Sequence, residues 1–341
     1  MPPSERVSIR QVRAASDAEW RAAWLGCDRA TWFHSPAWAA IWSRYLPAAI
    51  RPAARRVEFS DGRSAVLPLC ERPGSTWRAS RALGSPAGTY GGWIAERPLE
   101  KPHAELLFAY LTREVPGLVW RVNPWDPHAR ELAGGRGPAE ETRALELAQG
   151  FAALERGFAQ DARWGARRAR RAGVEIGVAV ELRDWEAYFG VYAESIARWG
   201  GNATSRHGWE LFAAIRDVAP EDARLWVARV AGEVIAGALV FYAPQHAAWW
   251  HSAARAAQFP KQPMNLLIDE ILRDACAQGL AVFDMGPSRS LTGVERFKAS
   301  FGATVLACPV IHARPLAWHV RLRHALARRL APGPPAADEP R

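Results

Sequence analysis

The sequence predicts an α/β protein of the α+β kind, built from two tandem domains, each a mixed, mostly antiparallel sheet flanked by helices. Three observations predict it. At 341 residues the chain exceeds what one core usually supports, since domains typically run to about 100–200 residues. Apolar residues alternate in some stretches and recur at helical spacing in others, with glycine, proline and Asp-Gly punctuation between them. Each half then runs strand, two helices, three meandering strands, helix, strand and a further strand. No identity between the halves is visible, so the repeated order implies a structural duplication. The expected boundaries are residues 1–150, residues 151–313, a basic helix over 314–330 that packs back on the first domain, and a disordered tail over 331–341.

In the first half, residues 7–12 alternate as a strand, and Asp17 is expected to cap a helix carrying Trp20, Ala23 and Trp24 on one face. Ser35-Pro36 opens a second helix, with serine as N-cap and proline at the first position, where its missing N–H costs nothing. Trp38, Ile41, Trp42 and Tyr45 follow at helical spacing, an aromatic stripe read as core. Residues 53–60 and 63–70 flank Asp61-Gly62, a strong hairpin signal, and 77–83 completes the meander. The glycine-rich loop over 84–92 either lets backbone approach a ligand or is a plain turn. A helix over 99–115, a strand over 118–122 ending at Asn123-Pro124, a surface loop over 134–138 and a last strand over 142–148 complete the half.

Residues 158–172 read as a helix stopped by Gly173, bearing Arg163, Arg167, Arg168, Arg170 and Arg171. Such a face suits several phosphates or is simply solvated. Residues 174–182 give the clearest alternation in the chain, and Asp184 is expected to cap a helix that Gly200-Gly201 ends, with Arg198 in its last turn. A helix over 207–218 and strands 223–230, 234–242 and 247–253 follow, the first two joined at Ala231-Gly232-Glu233. A helix over 263–278, a strand ending at Asp284, a short helix with Lys298 and a final strand over 304–311 close the second half.

A formal net charge of +9 suggests anionic partners. Hydrophobic content of 49% with 17 tryptophans argues for folded chain everywhere but the ends. The cysteines Cys27, Cys70, Cys276 and Cys308 are far apart, so neither a zinc knuckle nor a disulfide framework is indicated, and they suit a reducing cytosol. The first residues lack the apolar core of a signal peptide, and no stretch approaches the roughly 20 apolar residues that cross a bilayer. A cytoplasmic protein is expected, at most touching the inner face of the membrane.

Chemistry concentrates at Phe283-Asp284-Met285-Gly286-Pro287-Ser288 and the following 293–302. A strand ends at an Asp-x-Gly turn, and a short helix then presents Lys298. Carboxylate and ammonium thus reach one sheet edge, where a crevice opens beyond strand ends. Only Lys101, Lys261 and Lys298 are lysines among 44 Lys plus Arg, so each lysine is mildly informative, although a solvated Lys298 is the bland alternative. No G-x-S-x-G elbow or assembled Cys-His pair appears. His251-Ser252 on a strand has no orienting carboxylate in view and reads as structural.

The Asp-x-Gly turn, Gly293, Phe297-Lys298 and Phe301-Gly302 together resemble the end of the FemAB/FemX-like branch of the GNAT acyltransferases. Phe33-His34-Ser35-Pro36-Ala37-Trp38, Tyr90-Gly91-Gly92 and Arg171-Ala172-Gly173-Val174 extend the resemblance over most of the chain. It implies transfer of an acyl or aminoacyl group from acyl-CoA or aminoacyl-tRNA to an amine of a peptidoglycan or exopolysaccharide precursor. Direct attack needs positioning and electrostatic help but no enzyme nucleophile and no permanently bound cofactor or metal. By the same resemblance Lys298 with Phe297 would meet the acyl-donor end and Arg198 a substrate phosphate. Asp284, beside Lys298 at the strand end, is the second expected catalytic group, and Tyr90, Ser288 and Asn123 are further expected substrate contacts. Lys261, Arg255 and Asn265, beside the helix that follows the meander, would hold donor phosphate, because a helix N-terminus favours anions.

Two departures stand out. No cation follows Trp38 within 39–42, and the family's aspartate before proline is Asn123. The chain is closer to the compact FemAB-like proteins of Gram-negative bacteria. The implied partners are a small-molecule or glycan-linked amine and tRNA, with peripheral membrane contact through the 314–330 helix as an alternative to docking. The rival class is a duplicated fold without catalysis that scaffolds envelope assembly.

Overall fold

The computed structural model describes residues 6–74, 81–136, 140–200, 206–288 and 291–313. The expected 314–330 helix, the 331–341 tail and residues 77–80 lie outside the described residues.

β1 (Ile9–Ala14) leads into α1 (Asp17–Leu25). Ser16, not Asp17, is the cap: its hydroxyl accepts from the Glu19 N–H, and the Glu19 carboxylate accepts from the Ser16 N–H. α2 (Pro36–Tyr45) starts as Ser35-Pro36 predicts, with the Ser35 hydroxyl accepting from the Trp38 N–H. The hairpin at Asp61-Gly62 forms in two pieces. β2 (Arg51–Pro52), β3 (Arg55–Phe59), β4 (Ser64–Leu67) and β5 (Cys70–Arg72) pair as β3 with β4 and β2 with β5, in different sheets. β6 (Arg81–Leu83), β7 (Tyr90–Gly91), α3 (Lys101–Arg113), β8 (Val119–Val122), α4 (Pro127–Ala133) and β9 (Glu141–Glu146) follow. α4 has no counterpart in the expected order, although Asp126 caps it by accepting from the Ala129 N–H.

The second half holds α5 (Phe151–Arg156), α6 (Gln160–Arg171), β10 (Glu175–Val178), α7 (Leu182–Trp199) and α8 (Trp209–Val218). It continues with β11 (Ala223–Val230), β12 (Glu233–Ala243), β13 (His246–Ala254), α9 (Pro263–Ala277), β14 (Val282–Asp284), α10 (Thr292–Ser300), β15 (Thr304–Ala307) and β16 (Val310–His312). Asp184 is inside α7 rather than its cap and pairs with Arg229 at 2.7 Å.

Three sheets result, and they do not respect the midpoint of the chain. The large one runs β10-β11-β12-β13-β14-β9-β15, a second runs β16-β8-β6-β5-β2 with β7 beside β8, and the third is β1-β3-β4. The strand expected to end the first half, β9, therefore lies between β14 and β15, with Ala144 opposite both Asp284 and Thr304. The single strand expected over 304–311 is two strands in different sheets. Pro309 lies at the break, where its missing N–H cannot serve a ladder. β15 stays with β9, whereas β16 crosses to β8.

The aromatic stripe of α2 is core, as read, but it packs across the halves. Trp32, in a 3₁₀ turn before α2, stacks on Phe241 of β12 at 4.2 Å, and Trp38 meets Phe241 and Trp250 at 5.4 and 5.5 Å. Such ring pairs add about 0.5–1.5 kcal/mol each beyond area burial. On the same sheet Gly237 makes room for a tyrosine: a Cβ there would come 2.5 Å from Tyr188 Cδ2 and 2.9 Å from the Trp226 carbonyl oxygen. Gly237→Ala is expected to cost about 1–3 kcal/mol, read as a lower urea midpoint at unchanged slope.

Candidate active site

β13 and β14 run parallel only as far as Ala248 and Asp284. Beyond that pair β13 continues to Ala254 against β12 alone, and the chain after Asp284 turns away. A cavity of about 650 Å³ opens between them, bounded on its other side by the first half through Phe33, Trp42, Ala87–Tyr90 and Arg121. Trp250 is an extra residue in the pairing of β13, since Trp249 faces Val240 and His251 faces Leu239. Such a bulge re-aims side chains, and Trp249, Trp250 and His251 all line the cavity.

Six of the expected site residues meet here: Lys298, Asp284, Phe297, Ser288, Tyr90 and Arg198. Lys298 is 4% exposed on α10, and its ammonium donates to the Gly286 and Pro287 carbonyls, each at 2.9 Å, while lying 5.6 Å from the Trp249 ring centre. The bland expectation of a solvated lysine is thereby set aside. Asp284 is buried and fully engaged. Its Oδ1 accepts from Thr142 at 2.6 Å and from the Gly286 N–H at 2.9 Å, and its Oδ2 accepts from Tyr90 at 3.0 Å. Burial pushes this carboxyl above its ordinary range, against the pull of those hydrogen bonds and of Lys298. Burial, then the Asp284 charge, pushes the Tyr90 phenol well up, so Tyr90 keeps the proton it donates. Ser288 accepts from Arg143 Nε at 3.2 Å.

Arg198 is exposed at the end of α7, with its guanidinium 5.2 Å from the Phe259 ring centre and 5.7 Å from that of Trp199. Its guanidinium donates to the Ser195 hydroxyl at 3.4 Å, and no carboxylate pairs with it among the described residues. Asp284 is the one carboxylate among the described lining residues, against Arg121, Arg198 and Lys298. The cavity is therefore aromatic and cationic.

The structure does not bring the other four expected residues there. Asn123 is buried, donates to the Arg29 carbonyl at 2.9 Å and accepts from the Trp125 N–H, which are turn-holding bonds. Asn265 is packed under α6, where a Cβ on Gly165 would come 2.6 Å from its Cγ. Arg255 pairs with Glu233 and, at 3.4 Å, with Glu194. Lys261 lies in a 3₁₀ turn over 256–261 that Arg168 holds by donating to the Pro260 carbonyl. At the start of α9 Pro263 has no N–H and the Asn265 N–H goes to Gln262. The α6 arginines do not line the cavity either: Arg170 pairs with Asp269 and Glu270, and Ala162, Gly165, Ala166 and Ala169 form the buried face.

Sequence reasoning passed over Arg121, which pairs with Glu140, and set His251 aside. The His251 ring is half-buried, with Nδ1 2.6 Å from the Tyr188 hydroxyl, and burial and then His207 push it down to about 3. All four cysteines are free, and burial pushes every thiol up, Cys70 to about 12 and Cys308 to about 11. None is poised as a thiolate nucleophile.

Residues 156–299 match the acetyltransferase (GNAT) domain family. That stretch of the second half is similar to a GNAT domain. The chain around it has the fold of FemX, whose crystal structure superposes with a TM-score of 0.70 at 11% identity, covering 92% of this chain and 99% of that one. The C-terminal domain (DUF2156) of a protein assigned as lysylphosphatidylglycerol synthetase from Agrobacterium fabrum gives a TM-score of 0.55 at 16% identity, covering 92% and 98%. A conserved protein of unknown function from Bacteroides thetaiotaomicron gives 0.53 at 10%, covering 89% and 100%. At such identities the likeness is one of fold. None of the curated proteins matches the chain in sequence. The fold is that of a GNAT acyltransferase, and GNAT domains use acyl-CoA as co-substrate. No helix among the described residues is long and apolar enough to cross a membrane.

Proposed function

We propose that the protein is an N-acyltransferase that moves an acyl or aminoacyl group from coenzyme A or tRNA to an amine of a cell-envelope precursor. The observation that carries it is the cavity between the halves, lined by buried Lys298 and exposed Arg198. An amine attacking a thioester or ester needs orientation and a cation near the developing oxyanion, and such fixed donors are worth most in a water-poor site. Lys298 supplies the cation, and Asp284 holds the turn that Lys298 meets. Arg198, exposed and lining the cavity, meets a phosphate of the donor or the acceptor. Among the described residues the cavity offers an ammonium no open carboxylate, so the acceptor amine enters neutral and acts directly. As the envelope substrates of the resembling family suggest, the acceptor is glycan- or lipid-linked, and the protein works in the cytoplasm.

The test is a panel of acyl-CoA thioesters and aminoacyl-tRNAs, with and without amine acceptors, followed by melting shift and by product mass. A ligand at 100 times its Kd stabilises by about 2.7 kcal/mol. A shift without product for every pair would favour the scaffold class instead. Arg198→Ala is expected to weaken phosphate-bearing ligands about tenfold or more, the worth of one charged hydrogen bond. Parental binding should in turn weaken with salt. Equal affinity of variant and parent would place the phosphate elsewhere.

A further inference from the structure

Tyr188 on α7 is completely buried, and Gly237 leaves the space its ring occupies against β12. Its hydroxyl has one partner among the described residues, His251 Nδ1 at 2.6 Å. A buried hydroxyl proton with no acceptor is costly, whereas a spare lone pair is cheap. Burial pushes the Tyr188 phenol well up, so the proton stays on oxygen. Tyr188 therefore donates and Nδ1 accepts, which leaves the hydrogen of a neutral imidazole on Nε2. The ring is half-buried and lines the cavity, so Nε2 is the nitrogen a ligand can reach.

We infer that His251 is a catalytic residue that acts as a neutral hydrogen-bond donor, its Nε2–H held toward the acyl oxygen of the bound donor by Tyr188. This rests on the acyl-transfer reading above. As the amine nitrogen bonds to the acyl carbon, the carbonyl π pair moves onto oxygen, where the Nε2–H meets it. Collapse then re-forms the carbonyl, breaks the carbon–sulfur or carbon–oxygen bond, and the amine proton leaves with the departing thiolate or alkoxide. His251 neither gains nor loses a proton. A neutral imidazole can polarise a carbonyl in this way when its surroundings keep it uncharged. The titratable groups around it are Tyr188 and Tyr192 of α7, His207 before α8, and Lys298, Asp284 and Arg198 across the cavity.

Nitrogen-15 NMR of the full chain labelled at histidine, with the His251 signals assigned from their loss in His251→Gln, reads the tautomer without any substrate. At pH 7 the expected state is Nε2 protonated and Nδ1 bare, shifting toward a mixture of tautomers in Tyr188→Phe. A protonated Nδ1, or an imidazolium, overturns the inference. With an active donor and acceptor pair, His251→Phe is expected to lower kcat about 100-fold or more with little change in KM. His251→Gln, whose amide N–H reaches the same region, should recover about tenfold of that loss. Parental kcat in folded His251→Phe also overturns it. If no pair reacts, the acyl-transfer reading falls while the tautomer is still decided by NMR.

Discussion

Lys298→Ala is expected to cut turnover about 100-fold or more, the range seen when one electrostatic donor to a developing charge is removed. The side chain is nearly sealed from solvent, so its charge acts where the effective dielectric is low. It also has a structural duty, because its ammonium donates to the Gly286 and Pro287 carbonyls that shape the turn after Asp284. Losing it leaves those acceptors bare at about 1–3 kcal/mol, so the rate must be measured well below the variant's melting temperature. Lys298→Met refills the volume without the charge. If both folded variants transfer acyl groups at the parental rate, the ammonium holds a turn and does no chemistry.

Acidification is expected to unfold the protein early. His34 is buried with Nδ1 accepting from the Thr31 N–H, and burial pushes it down to about 4. His246 is buried against Trp125, neither ring nitrogen has a partner among the described residues, and burial, then His34, push it down to about 3. Each folded-state value lies below the ordinary 6.5, so the unfolded chain binds the proton first. The stability tied to the two neutral rings is present above about pH 6.5 and is lost as pH falls toward 4. Two protons correspond to about 3 kcal/mol per pH unit across that window. Asp284 has the opposite sign, since its raised value adds stability only below its own folded-state range. Denaturant midpoints between pH 7 and 4 read the slope, and His246→Phe should about halve it. A flat profile would mean that the rings charge without unfolding.

Local order was legible in the sequence and long-range order was not. Ser35-Pro36, Asp61-Gly62, Ala231-Gly232 and Gly173 each mark a boundary through chemistry that needs no distant partner, and the structure has a boundary at each. The stripe of Trp38, Ile41 and Trp42 announced burial but not its partner, which proved to be β12 and β13 of the other half. Pattern along the chain could not tell that 141–146 pairs with β14 and β15, because alternation fixes a strand's faces and leaves its neighbours open. At the site, Lys298 and Asp284 stood out through residue type and turn chemistry. His251 did not, because what orients it is a tyrosine 63 residues earlier, not a nearby carboxylate.

The exchanged strands bear on how the protein is made. On a ribosome β9 emerges long before β14 and β15, and at about 5–20 residues per second its wait for both neighbours lasts on the order of 10 seconds. β8 waits longer still for β16. Neither sheet can be completed by a nascent N-terminal half, so the growing chain carries open β edges of the kind that seed aggregation and attract chaperones. Closure of both sheets is then a late, shared event, and a chain released at residue 150 would leave β9 without either of the strands that flank it.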